Sequence, residues 1–118
     1  MPDRIVAVVT DVFFAAKVLD GARRAGRDAV FAKSAEHAIS LARENAAMLV
    51  VDLNCRDVDA PGLIRLFKAD PALRPIPALG FVSHVQEDRK REAIEAGCDR
   101  VVARSTFSDR AADLLSGR

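Results

Sequence analysis

The sequence predicts an α/β domain in which a doubly wound, five-stranded parallel sheet carries helices on both faces. Short, unbroken apolar runs rich in β-branched residues recur along the 118 residues, as strands covered on both faces require. Amphipathic segments with helical spacing separate these runs, so strand and helix alternate five times. The central run, 48–52, ends abruptly in a carboxylate, Asp52, at the position where parallel sheets place their working residues.

Length and composition indicate one soluble domain over residues 1–118. The formal net charge is +1, which gives no electrostatic reason to expect nucleic acid or an anionic membrane as a partner. Two distant cysteines, without a secretory leader, favour free thiols and a cytoplasmic location. No apolar run is long enough to cross a membrane.

The first half of the chain is predicted to form two strand–helix units and the central strand. Strand 5–9 precedes a helix at about 12–25, whose interior Gly21 suggests tight packing and whose end is capped by Gly26. Its apolar face is predicted to carry Phe14, Ala15, Val18, Leu19 and Ala22. Strand 29–32 follows. Ser34 then caps a helix that ends near residue 45 and buries Ala35, Ala38, Ile39 and Ala42.

The second half continues the alternation. A helix opens at 59–61, where a proline is tolerated in the first turn, and strand 78–82 contains Gly80, which suggests close approach by a neighbour. A highly charged helix at 86–96 is capped by Gly97. The apolar positions of these two helices are predicted to be Leu63, Leu66, Phe67, Ala93, Ile94 and Ala96. Strand 101–103 leads to a helix that starts near residue 106 and packs Phe107, Ala111, Leu114 and Leu115.

The natural arrangement for this alternation is the flavodoxin-like (βα)5 fold with strand order 2-1-3-4-5. Polar residues should then gather beyond strands one, three, four and five: Thr10, Asp11, Asp52, Asn54, Ser83, His84, Arg104 and Ser105. The loop after strand one contains no glycine and cannot cradle a phosphate as nucleotide-binding turns do. A flavin- or nucleotide-dependent enzyme is therefore disfavoured, and no enzymatic activity is expected.

Three segments carry a resemblance to a known family, and one of them reads Asp-Pro-Ala-Leu at 70–73 followed by Ile-Pro at 76–77. Segment 49–54 reads Leu-Val-Val-Asp-Leu-Asn, with Asp57 and Asp59 downstream, and segment 95–99 reads Glu-Ala-Gly-Cys-Asp. In order and spacing, the chain resembles the receiver domains of bacterial two-component response regulators, of the chemotaxis-regulator type. The resemblance implies that Asp52 is the phosphoacceptor and that the backbone carbonyl of Asn54 helps to hold Mg²⁺.

Other positions depart from the family pattern. The acidic pair after strand one falls on Val9 and Thr10, with Asp11 just beyond. The hydroxyl residue that ends strand four falls on Val82, with Ser83 beside it, and the lysine after strand five falls on Arg104. Mg²⁺ usually needs carboxylate ligands, whereas Val9 offers no oxygen and Thr10 only a hydroxyl. Val82 lacks the hydroxyl that would bind a phosphoryl oxygen, and Arg104 keeps the positive charge but with a planar guanidinium in place of an ammonium.

Two hypotheses follow. The first is a degenerate, or pseudo-, receiver that signals through protein–protein contacts and needs no cofactor. The alternative is a functional receiver that a histidine kinase phosphorylates on Asp52, with Mg²⁺ held by Asp11, Asp52 and Asn54. In either case, the partners are signalling proteins, a kinase or a downstream effector. The resemblance places the partner surface around Arg89, Lys90 and Arg91.

Overall fold

The computed structural model describes residues 3–83 and 86–117, so the candidate His84 lies outside the described residues. Strands and helices alternate throughout: β1 (Arg4–Val8), α1 (Val12–Arg24), β2 (Asp28–Phe31), α2 (Ala35–Glu44), β3 (Met48–Asp52), α3 (Ala60–Ala69), β4 (Ala78–Val82), α4 (Glu87–Ala96), β5 (Arg100–Ala103) and α5 (Arg104–Leu115). The five strands pair in parallel in the order β2-β1-β3-β4-β5. The predicted flavodoxin-like fold is confirmed.

The sheet separates two apolar cores. Because strand side chains alternate between faces, Val6 and Leu49 point to one core whereas Ile5 and Val50 point to the other. The first core is shared with α2, α3 and α4, and the second with α1 and α5. The three central strands are buried almost throughout, which brings the end of β3 to the middle of one sheet edge.

Two glycines permit the close approaches that the sequence suggested. A Cβ added at Gly21 of α1 would lie 2.8 Å from the Cβ of Ala111 in α5, and one added at Gly80 of β4 would lie 3.0 Å from the Leu53 side chain. Gly26 and Gly97 follow α1 and α4 with φ angles of 73° and 106°, the left-handed conformation that glycine adopts without strain.

Some packing predictions were wrong. Leu19, Leu66 and Ile94 are exposed, whereas Ile64 is completely buried. In α3 the buried positions are Ala60, Leu63, Ile64 and Phe67, so the apolar stripe is rotated by part of a turn from the predicted one. The last helix begins at Arg104, two residues earlier than expected. Within the described residues, no helix is both long and apolar enough to cross a membrane.

Candidate functional site

Asp52 is the last residue of β3, and its carboxylate is engaged on both oxygens. Oδ1 accepts a hydrogen bond from the backbone N–H of Asn54 at 2.9 Å, which tightens the turn after the strand. Oδ2 accepts one from Nη2 of Arg104, also at 2.9 Å. Asp52 is only 2% exposed and is the one charged residue in the buried set of described residues. A carboxylate so poorly hydrated requires a cation beside it, and Arg104 supplies that cation.

Aromatic rings hold Arg104 in this position. Its guanidinium carbon lies 4.6 Å from the ring centroid of Phe14 and 5.9 Å from that of Phe81, within the range of cation–π attraction. The rings of Phe14, Phe81 and Phe107 are themselves in contact, with neighbouring centroids 5.1 and 4.6 Å apart. Arg104 Nε is buried and has no acceptor among the described residues. The guanidinium is therefore fixed by Asp52 and by a ring cluster.

A shallow cavity of about 340 Å³ lies over this ion pair and brings together most of the predicted edge residues. Its lining consists of Thr10, Asp11, Asp52, Asn54, Cys55, Arg56, Asp57 and Arg104. Asp11 also caps α1, because its Oδ1 accepts from the backbone N–H groups of Phe13 and Phe14 at 2.8 and 3.2 Å. The cavity rim thus contains three aspartates and two arginines.

The two candidates at the end of β4 lie outside this cavity. Val82 is 3% exposed and offers no hydroxyl, and Ser83 donates its backbone N–H to Oδ1 of Asn54 at 3.0 Å. Both residues line a smaller neighbouring cavity of about 110 Å³, together with Lys90 of α4. The Asn54 side chain therefore ties the turn after β3 to the end of β4.

The described residues do not fit the Mg²⁺ site that the resemblance implies. A magnesium ion needs near-octahedral oxygen ligands, and two of the three aspartates that line the cavity, Asp11 and Asp52, already accept hydrogen bonds within the protein. The buried Val9 contributes no oxygen. No group of three His, Cys, Asp or Glu side chains among the described residues is arranged to hold a metal ion. The conditional ligand set of Asp11, Asp52 and Asn54 therefore stays a prediction.

The three basic residues proposed as a partner surface differ in their surroundings. Nη1 of Arg89 donates to the backbone carbonyl of Leu53 at 3.2 Å, so this side chain reaches back to the turn after β3. Arg91 pairs with Asp88 of the same helix at 2.8 Å. Lys90 is exposed beside the smaller cavity. Only Lys90 is thus placed as a freely presented charge.

Phe14 and Arg56 were not predicted to belong to the site. Phe14 was assigned to the helix core, although its ring also supports Arg104, and Arg56 lines the cavity although no role was predicted for it. Neither role has a local signal, because each depends on which residue from a distant part of the chain comes to lie opposite. The aromatic side chain of Phe14, near the start of α1, is the only sequence feature that could have suggested a cation–π contact at the site.

The site thus consists of a buried carboxylate at the end of β3 paired with an arginine at the start of α5, on a parallel sheet with the strand order 2-1-3-4-5. No protein-family model matches the sequence, and no curated protein does. Solved structures do match. The receiver domain of the sensor histidine kinase PA1611 from Pseudomonas aeruginosa, with magnesium coordinated in its active-site cleft, has a TM-score of 0.82 at 14% identity, covering 99% of this chain and 97% of that one.

Two further structures agree. The chemotaxis response regulator CheY4 of Vibrio cholerae has a TM-score of 0.78 at 13% identity, covering 98% of this chain and 99% of that one. A protein described as a response regulator from Chloroflexus aurantiacus has a TM-score of 0.82 at 20% identity, with both chains covered completely. At these identities the likeness shows the fold: this chain has the fold of response regulator receiver domains.

Proposed function

We propose that this chain is a receiver module of two-component signalling that acts as a degenerate receiver, through protein–protein contacts and without enzymatic activity. The observation that carries the proposal is the buried ion pair of Asp52 and Arg104. Each carboxylate oxygen of Asp52 already accepts a hydrogen bond from the protein, and one of the two donors is a guanidinium held on aromatic rings.

Phosphorylation of Asp52 would have to overcome three features. The carboxylate would have to leave Arg104 and expose an oxygen, although it is almost completely buried. Charge on the transferred phosphoryl group is normally neutralised by a metal ion, for which Val9 and Thr10 provide no carboxylate. Val82 provides no hydroxyl for a phosphoryl oxygen. Because these three features affect one reaction, their effects compound.

The alternative, a functional receiver that a histidine kinase phosphorylates, has one observation in its favour. Asp11, Asp52 and Thr10 line the same shallow cavity, so rotation of Asp11 away from the α1 cap would bring a second carboxylate toward the first. Mg²⁺ would then be held by Asp11, Asp52 and the backbone carbonyl of Asn54 together with water. The loss of the α1 cap would cost about 1 kcal/mol, which a tightly bound ion could offset.

Treatment with beryllofluoride and Mg²⁺, or with acetyl phosphate and Mg²⁺, distinguishes the degenerate receiver from the functional one. The proposal expects unchanged backbone amide spectra around Asp52 and no phosphoryl mass increase. The positive control is the variant V9D/T10D/V82T/R104K, which restores the residue types of the family pattern at four positions. This variant should show amide shifts or a phosphoryl mass increase, whereas the natural chain should show neither. A phosphoryl mass increase in the natural chain that is lost in D52N would overturn the degenerate assignment.

A further inference from the structure

The outer side of α1 carries apolar side chains that no other part of the described chain covers. Of the five large apolar residues that are exposed among the described residues, three belong to this helix: Val12, Phe13 and Leu19, at 84%, 59% and 46% exposure. Ala16 is exposed between them. Val12, Ala16 and Leu19 are spaced i, i+4 and i+7, so they lie in one line about 10 Å long on the helix surface. We call these three residues the α1 stripe.

The α1 stripe is separate from the surfaces that α1 uses to pack within the domain. Val18 and Ala22 belong to the second core, and Gly21 lies against Ala111 of α5. The helix therefore has an internal apolar face and an external one. A surface helix normally presents polar residues to solvent, so a contiguous exposed apolar patch of this kind is typical of an interaction surface.

Opposite charges stand at the two ends of the α1 stripe. Asp11, directly before the stripe, is exposed; its Oδ1 caps the helix, whereas its Oδ2 has no hydrogen-bond donor among the described residues. Arg23 continues the line one turn beyond Leu19, is exposed, and makes no hydrogen bond or ion pair within the described ranges. The stripe thus runs from an available carboxylate oxygen to an available guanidinium.

This pattern is complementary to itself when two copies of α1 lie antiparallel across a two-fold axis. In the register that sets Leu19 of one copy against Ala16 of the other, the larger side chain fills the space beside the smaller one. The same register brings Arg23 of one copy beside Asp11 of the other, with its aliphatic stem over Val12, and the two-fold axis repeats the ion pair. A parallel arrangement would instead place like charges together. One antiparallel register therefore satisfies both the apolar and the charged residues.

We propose that the α1 stripe is a self-association surface, through which two copies of this chain form an antiparallel dimer. A partner of uniform charge fits this surface less well, because its two ends carry opposite charges. A single helix pair buries less than the roughly 800 Å² per partner of a standard interface, so the association is weak and depends on concentration. Asp11 also lines the cavity over Asp52, and the dimer therefore brings Arg23 of the second copy to the rim of that cavity. The inference goes beyond the proposed function and does not depend on it.

Sedimentation equilibrium of the folded chain, at concentrations from about 10 µM to 1 mM, measures the association. We expect the average mass to rise toward that of a dimer, and the backbone amides of α1 to shift over the same range. L19E should weaken the association by about tenfold or more, because the dimer would bury a carboxylate against Ala16 without a partner. L66E, which changes an exposed leucine of α3, is the matched control and should associate as the natural chain does.

The charged ends of the stripe are tested with D11N and R23Q. Asparagine caps a helix as well as aspartate does, so D11N removes the charge and keeps the cap. Each single change should weaken the association by about threefold to tenfold. The double variant D11N/R23Q should be little weaker than either single variant, because both changes remove the same ion pair. R65Q, which changes an exposed arginine of α3, is the control for the loss of a positive charge.

Three results would overturn the proposal: a monomer mass over the whole concentration range, a dimer that L19E leaves unchanged, or equal losses of association in L19E and L66E. Fully additive effects of D11N and R23Q would contradict the antiparallel register. Circular dichroism of every variant checks the fold, so a loss of association is not mistaken for unfolding.

Discussion

Arg104 lies 52 positions after Asp52 in the chain, yet its Nη2 is 2.9 Å from Oδ2 of that carboxylate. The two side chains are unequal in exposure, at 30% for Arg104 and 3% for Asp52. Removal of the arginine would leave an almost dry carboxylate without its cation, which costs more than the loss of an ordinary surface ion pair.

We therefore expect R104M to lower the free energy of unfolding by about 3 kcal/mol, as measured by urea denaturation at neutral pH. R104K, which keeps the charge, should lose clearly less. The double variant D52N/R104M should recover part of the loss, because no buried charge then remains unpaired. If R104M is no more destabilised than R24M, which removes an exposed arginine from α1, the pair does not stabilise the fold.

The contact between Gly21 and Ala111 gives a second prediction. A Cβ at residue 21 would approach the Ala111 side chain and backbone to 2.8 and 3.1 Å, so G21A must push α1 and α5 apart. Overpacking of this kind costs about 1–3 kcal/mol, which exceeds the gain of about 1 kcal/mol from alanine's helix propensity.

A double-mutant cycle with A111G tests this contact. Because A111G removes the nearest of the atoms that residue 21 would meet, the Ala111 Cβ at 2.8 Å, G21A/A111G should be more stable than the sum of the two single changes predicts, by about 1 kcal/mol. Free energies of unfolding from urea titration provide the measurement. Strict additivity would mean that the two helices separate without cost.

The ion pair between Lys68 and Asp99 predicts a pH dependence of stability. Burial acts to raise the pKa of Asp99, but hydrogen bonds from Lys68 and from the Ala78 backbone N–H outweigh it, and the pKa lies below its ordinary value of 3.8. A depressed pKa contributes stability above the unfolded-state value, and this contribution is lost as the pH falls through the lower, folded-state value.

Thermal unfolding between pH 7 and pH 2.5 should therefore show a loss of stability at and below about pH 4 that is smaller in D99N. D99N itself should be less stable than the natural chain at pH 7, because Lys68 and the Ala78 N–H lose a charged acceptor. D109N, which changes an exposed aspartate of α5, is the control and should leave the pH profile unchanged. Identical acid profiles for D99N and the natural chain would contradict this assignment.

Arg89 and Lys90 are adjacent on α4 but should respond differently to charge reversal. From the sequence, reversing the charges of both Arg89 and Lys90 is predicted to weaken partner binding and to leave the melting temperature nearly unchanged. The hydrogen bond from Arg89 to the Leu53 carbonyl changes that prediction for Arg89. R89E would bring a carboxylate toward a carbonyl oxygen.

We expect R89E to lose about 1 kcal/mol of unfolding free energy, and K90E to stay within about 0.5 kcal/mol of the natural chain. Differential scanning calorimetry on the two single variants measures this. K90E is then the variant of choice for testing the proposed partner surface, since any loss of kinase or effector binding would not reflect stability. Equal melting temperatures for R89E and K90E would mean that the Leu53 contact does not contribute.

The sequence alone was enough to predict the five strands, the five helices and the strand order. Strand and helix periods differ, and the helix caps Ser34 and Gly26 mark local events that depend on neighbouring residues only. The carboxylate at the end of β3 was also predictable, because a charge that follows a continuous apolar run must lie at a sheet edge. The departures at Val9, Thr10, Val82 and Arg104 could likewise be read from the chain itself.

Only the tertiary structure decided which contacts the residues at these four positions make. Whether Arg104 points to solvent or to Asp52 depends on how β5 and α5 settle against β3, and on the rings of Phe14 and Phe81 that come from two other elements. The hydrogen bond from Arg89 to the Leu53 carbonyl also joins parts of the chain more than 30 positions apart. Local sequence spacing carries no information about these long-range contacts, because they depend on how the whole sheet packs against its helices.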